Sequence, residues 1–161
     1  VTFIARNKNL AAINAQGFRL LLPDGSTQHT RDVRAVQDPA EAGPQDVVLL
    51  TTKAHQVRDL LPGLRGLFGP DTMVVTMING VPWWYFQRLG GPFDGRALSS
   101  VDPDGTLAAG IEVERVIGSI VYPAAELVEP GVVKLIEGNR FSLGELDGQR
   151  APRIEAPARS T

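Results

Sequence analysis

Asp46-Val-Val-Leu-Leu-Thr-Thr-Lys53-Ala-His-Gln56 and Thr72-Met-Val-Val-Thr-Met-Ile-Asn79-Gly80 decide the fold of this chain. Each opens as a short apolar run, rich in β-branched residues and without polar alternation. A strand covered on both faces of a parallel sheet reads this way. Each run then ends abruptly in polar residues. Ligands of open parallel sheets bind beyond the carboxyl ends of the strands, so Lys53 and Asn79 stand where chemistry is expected.

Working outward, the pattern alternates between strand and helix. Val1 to Arg6 reads as a strand, and Asn7 is positioned to cap a short helix through Gln16 that Gly17 stops. Phe18 to Leu22 and Thr27 to Val36 flank Pro23-Asp-Gly-Ser26, a hairpin signature. Asp38 to Gln45 reads as a loop or irregular turn. Lys53 to Phe68 carries a helical apolar stripe that Pro62 kinks or interrupts, and Gly69-Pro-Asp71 returns the chain to the next strand. Pro82 opens a short aromatic helix through Leu89, ended by Gly90-Gly-Pro92. Beyond Glu114 the texture turns to strand: Arg115 to Tyr122, Val132 to Glu137 and Phe141 to Leu146. The class is therefore α/β, mainly parallel, with a β-rich end.

Composition bounds the function. With 161 residues, 43% of them hydrophobic, the length prior gives one domain. The net charge of −2 leaves no electrostatic footprint for nucleic acid or an anionic membrane. The chain has no cysteine, which removes disulfides, thiolate catalysis and cysteine-ligated metals. His29 and His55 are its only imidazoles, and no neighbouring acid spacing forms a metal motif, so the expectation is no metal. No apolar stretch approaches a membrane span and no signal peptide opens the sequence; a reducing cytoplasm is the default compartment. The chain begins inside a strand, from which we expect a preceding segment in the intact protein. Residues 149–161 read as a loose tail.

The first strand ends in Arg6-Asn7-Lys8-Asn9, with no acid in reach. At the second strand of a dinucleotide fold an acid accepts the ribose 2′-hydroxyl, whereas an arginine accommodates a 2′-phosphate. A guanidinium offers paired donors to phosphate oxygens and Lys8 adds a point charge, a combination that favours NADPH over NADH. The competing reading is a solvated basic turn. No Gly-x-Gly-x-x-Gly follows any strand in these residues, so on this fold the phosphate loop and its strand are expected upstream.

Val48-Leu-Leu-Thr-Thr-Lys53-Ala-His-Gln56-Val, Met77-Ile-Asn79-Gly80, Arg115-Val-Ile-Gly118-Ser-Ile-Val-Tyr-Pro-Ala124 and Pro130-Gly-Val-Val together resemble the ketopantoate reductase (2-dehydropantoate 2-reductase) family. The resemblance runs from Val1 to about Gly148 and is carried by the order of the motifs. It implies a Rossmann-type NADPH-binding domain over residues 1–148, lacking its first strand and glycine-rich loop, with a C-terminal helical substrate domain absent from this chain. It implies reduction of 2-dehydropantoate to (R)-pantoate in pantothenate and coenzyme A biosynthesis.

By the same resemblance Arg6 meets the 2′-phosphate of NADPH, and Lys53 and Gln56 line the adenosine side of the cofactor. Asn79 contacts cofactor and substrate, and the backbone of Ala124 approaches the cofactor. The proton-donating lysine belongs to the helical domain, so no catalytic residue is expected here and the chain alone is expected to be inactive. A homodimer of the intact protein is left open. The competing readings are a solvent-facing cap for Lys53 and an ordinary turn pair for Asn79-Gly80. His55 is read as a neighbour of the site without an acid or base role. Trp83-Trp-Tyr-Phe86 reads as an aromatic helix packed on its own sheet before a stacking platform for a base or nicotinamide, and Glu126 and Glu129 read as loop acids. Two alternatives stand beside the main reading: a reductase of another 2-keto acid, and a nucleotide-sensing module that has lost its chemistry.

Overall fold

The computed structural model describes residues 1–158, which divide into two compact units where the length alone gives one domain. The first unit comprises residues 1–43 and 122–140, and the second residues 44–121 and, of the described residues, 141–158.

In the first unit β1 (Thr2–Ile4) pairs in parallel with β4 (Arg34–Val36), and α1 (Asn7–Gln16) lies between them in sequence. A second sheet has the order β3-β2-β9-β8, from β2 (Phe18–Leu21), β3 (Thr27–Thr30), β8 (Ala124–Glu129) and β9 (Val132–Glu137). The hairpin forms at Pro23–Ser26 as expected, with Asp24 accepting from the Ser26 N–H and hydroxyl. Thr27 to Val36 is not one strand, because Arg34–Val36 leaves the hairpin to join β1. Asn14 explains where β4 settles: its carboxamide donates to Ala35 O (2.9 Å) and accepts from Ala35 N (3.0 Å). Ile13, Ala35, Val36 and Val132 are buried, and the Phe3 and Phe18 rings stack at 5.2 Å.

The α1 boundaries match the expectation, but its cap does not. Arg6 holds the N-cap position without a side-chain bond, and Asn7 enters the helix at φ +52°. Gly17 closes the helix at φ +80° as read from the sequence, its N–H donating to Ile13 O. Glu126 and Glu129, expected on a loop, belong to β8, where they pair with Lys134 and Arg19.

The second unit is built on a sheet of order β10-β7-β6-β5, from β5 (Gln45–Leu50), β6 (Phe68–Thr76), β7 (Val116–Val121) and β10 (Phe141–Gly144). The first three strands in sequence run parallel and β10 antiparallel. β6 is covered on both faces as its composition implies, with Val74, Val75 and Thr76 all buried. β5 is not: Val48 and Leu50 are buried, but Leu49 is 57% exposed and the strand forms the sheet's edge. Val57, Leu61 and Leu64 of α2 (Val57–Leu64) are buried. Each such side chain contributes roughly 1.5–3 kcal/mol by leaving water. Pro62 lies inside α2, and the expected Lys53-to-Phe68 helix resolves into α2 flanked by 3₁₀ turns at Ala54–Gln56 and Arg65–Leu67.

Four further differences have local causes. Gly69-Pro-Asp71, expected as a turn, is already part of β6, because the Thr72 hydroxyl accepts from Gly69 N and donates to Gln45 O. The aromatic segment 83–88 forms hydrogen-bonded turns in place of a helix, with Trp83 buried and Trp84 laid over Gly118, the only β7 position without a side chain. Thr106–Gly110 forms a short helix, α3, whose backbone N–H groups at Leu107 and Ala108 are received by the buried Asp102 carboxylate. Within the expected tail, Pro152–Ala158 forms α4, held by a two-bond pairing of Arg153 with Glu145; residues 159–161 lie outside the described residues. Among the described residues no helix is long and apolar enough to cross a membrane.

Candidate functional site

In the first unit, the carboxyl end of β1 runs through Ala5, whose N–H donates to Val36 O, into exposed Arg6. A cleft of about 420 Å³ opens there, its lining including the apolar Phe3, Ile13 and Phe18 and the polar Arg6, Asn7 and Asn9. The Arg6 guanidinium makes no hydrogen bond or ion pair among the described residues, and the first turn of α1 carries no acid. An uncommitted guanidinium beside a helix start without acids has the charge and the donor geometry an anionic oxygen needs. Asn9 is otherwise occupied, accepting from Gly131 N at 3.1 Å. Ala124, also in this unit, is exposed at the start of β8 and opposite Glu137 in register.

In the second unit, β5 ends at Leu50, and Thr51-Thr-Lys53 carries the chain into the turn at Ala54–Gln56. Gln56 reaches back so that its Oε1 accepts from Lys53 N at 3.1 Å, leaving its NH₂ group free to donate outward. The Lys53 ammonium is exposed and has no partner among the described residues. The preceding Thr52 supplies what the sequence reading passed over: its Oγ1 is buried and has no hydrogen-bond partner. Buried hydroxyls are nearly always satisfied, so this one has bonding capacity left at a strand end where ligands bind. His55 is exposed beside it.

Asn79 follows β6 by three residues. Its Nδ2 donates to Val121 O at 3.2 Å, and its Oδ1 accepts from Val121 N at 3.3 Å. β6 pairs with β7 only as far as Thr76 opposite Gly118, so the Asn79 carboxamide takes over the pairing where the β6 backbone leaves off. One N–H and one lone pair of the carboxamide remain for other partners. Sequence reading singled out Asn79 but had no signal for Val121, which contributes only its peptide group.

The five residues named from the sequence thus stand in two sets. Arg6 and Ala124 belong to the first unit, and Lys53, Gln56 and Asn79 to the second. Only Lys53 and Gln56 bond to one another. The set holds two cations without partners among the described residues, two side-chain amides with N–H groups to spare, and no acid. Among the described residues, no group of three or more His, Cys, Asp or Glu side chains could hold a metal ion.

The chain is 47% identical over 154 residues to a 2-dehydropantoate 2-reductase of Mesorhizobium japonicum, covering 96% of this chain and 47% of that protein. A crystal structure from Ralstonia solanacearum MolK2, provisionally described as a ketopantoate reductase, superposes with a TM-score of 0.89 at 39% identity over 98% of this chain and 48% of its own. The 2-dehydropantoate 2-reductase of Geobacter metallireducens GS-15 does so with a TM-score of 0.75 at 26% identity, over 99% of this chain and 46% of its own. The chain spans about half the length of the curated relatives it matches. The family profile described as ketopantoate reductase PanE/ApbA matches residues 1–84. The parallel strands with polar carboxyl ends and the match over more than half its length agree: this chain belongs to the ketopantoate reductase family.

Proposed function

We propose that the intact protein reduces 2-dehydropantoate to (R)-pantoate with NADPH, and that this chain supplies part of the cofactor platform and one substrate contact. The observation that carries the reading is the 47% identity, over nearly the whole chain, to the Mesorhizobium japonicum enzyme of that name. The residues present fit the cofactor: Arg6 has an uncommitted guanidinium, Lys53 an uncommitted ammonium, and the buried Thr52 hydroxyl lacks a partner.

Bound NADPH supplies a hydride to the ketone carbon, and a proton must reach the ketone oxygen. In this reading Arg6 receives the 2′-phosphate, a role a planar paired donor performs better than a point charge. Lys53 and the outward NH₂ of Gln56 line the adenosine side, and the Ala124 backbone lies against the cofactor. Asn79 uses its remaining N–H and lone pair to orient cofactor and substrate, its carboxamide already immobilised by Val121. Such positioning matters because aligned reactants account for a large share of the barrier reduction, roughly 7–11 kcal/mol in favourable intramolecular cases. In this reading the chain's own residues bind and orient the reactants, and none of them donates the proton.

Calorimetric titration of the intact protein with NADPH and NADH tests the assignment. The expected result is NADPH preference, with Arg6→Ala weakening NADPH roughly 10- to 100-fold, equivalent to one charge-assisted hydrogen bond, while NADH affinity stays unchanged. Equal binding of both cofactors by the unsubstituted protein would overturn the role of Arg6. Turnover of another 2-keto acid in preference to 2-dehydropantoate would overturn the substrate.

A further inference from the structure

We propose that Asn79-Gly80 is a self-modification site of this protein, held in check by the Val121 peptide. Of the five asparagines in the sequence, Asn79 alone is followed by glycine. An unhindered backbone nitrogen after asparagine can attack the side-chain amide. The Gly80 nitrogen bonds to Asn79 Cγ and loses its proton, the Cγ–Nδ2 bond breaks, and ammonia leaves with that proton. Water then opens the resulting imide to aspartate or isoaspartate. The net change is an amide plus water giving an acid plus ammonia, with no redox partner.

Both reacting groups can be followed in the structure. Gly80 is exposed at φ +101°, with no atom beyond its own chain neighbours within 4 Å of the place a Cβ would occupy, and its N–H makes no hydrogen bond among the described residues. The nucleophile is therefore uncommitted and sterically open. The electrophile is committed: both ends of the Asn79 carboxamide are tied to Val121. Attack requires the carboxamide to turn its carbon toward Gly80 N and to release ammonia, and either motion breaks the bonds to Val121. With each hydrogen bond contributing a factor of roughly two to ten, the pair slows the reaction by roughly four- to a hundredfold.

Modification is self-sealing. Aspartate at this position has no N–H to offer Val121 O, and isoaspartate also displaces the backbone by an extra methylene. Aspartate can still accept from Val121 N but loses the bond to Val121 O, and isoaspartate displaces both, so neither product restores the original pairing. The conclusion depends on the position of Asn79 and Val121, not on the identity of any ligand.

Peptide mapping by mass spectrometry after incubation of the intact protein at mildly alkaline pH tests the proposal. Asn139, followed by Arg140, serves as the internal comparison. The expected result is conversion at Asn79 ahead of Asn139, roughly four- to a hundredfold faster in concentrated urea than in buffer. The charge-separated product should melt below the unmodified protein. Equal rates in urea and buffer would overturn the protection by Val121. Faster conversion at Asn139 would overturn the site, and an unchanged melting temperature would overturn its structural consequence.

Discussion

The Asn79 side chain and the Val121 main chain exchange two hydrogen bonds, at 3.2 and 3.3 Å, so a side-chain amide performs the work of a strand where β6 has already turned away. Asn79→Ala removes both bonds and leaves the Val121 peptide to water. A loss of about 1–2 kcal/mol in urea unfolding is expected, from two hydrogen bonds of ordinary net value. Asn79→Asp keeps an acceptor for Val121 N but sets a carboxylate against Val121 O. A stability equal to the unsubstituted protein in both variants would mean the pairing carries no structural weight.

Gly118 is glycine because of Trp84. A Cβ there would meet Trp84 Cη2 at 3.0 Å, so Gly118→Ala should displace the indole and cost about 1 kcal/mol, with a shift in tryptophan emission. Trp84→Phe should relieve most of that cost in the double variant. Additive losses would place the strain elsewhere than at the indole.

The α4 helix rests on an ion pair whose acid is almost wholly enclosed. The Glu145 side chain is 4% exposed, and Arg153 meets both of its oxygens at 2.5 Å while also donating to Glu114 O at 2.6 Å. Arg153→Ala strands the carboxylate and should cost about 3 kcal/mol, more than the double replacement of Glu145 and Arg153 by apolar residues. The comparison is read by thermal or urea unfolding, and a double variant less stable than the single one would contradict it.

Acid should act late on the contact between α2 and the loop before α3. Arg58 hydrogen-bonds Asp104, and with help from Thr106 holds its carboxyl down from 3.8 to about 2. The folded value lies below the unfolded one, so the contribution is complete above pH 4 and fades only as pH falls toward 2. A carboxyl NMR titration should give a midpoint near 2, returning toward 3.8 in Arg58→Ala. A midpoint that ignores Arg58 would remove the cause assigned here.

Much of this was legible because strand cores and turn residues speak through composition. β6 announced itself by its β-branched run, and the turn at Pro23–Ser26 by residues that suit it. The candidate residues followed from where those runs end. What stayed illegible depends on partners distant in sequence. Arg34–Val36 looked like hairpin because nothing local reveals that Asn14 binds Ala35. β8 looked like loop because all its residues are exposed, leaving no apolar alternation to read. The aromatic segment 83–88 looked helical by content, yet its geometry is set by the missing side chain at Gly118. The unsatisfied Thr52 hydroxyl is visible only once its surroundings are known.

The division of each unit into two stretches of sequence sets an order of events on the ribosome. Residues 44–121 emerge as one continuous piece carrying β5, α2, β6 and β7, so the parallel core of the second unit can assemble while the chain is still growing. The first unit must wait: β2 finds β9 only late, and Arg19 and its partner Glu129 are 110 residues apart. Until then β2 has only β3 beside it, and a lone hairpin in water is marginal. The interval before Val132 is synthesised is thus when an unfinished sheet is open to association with other chains, and slower translation across residues 44–131 would lengthen that exposure.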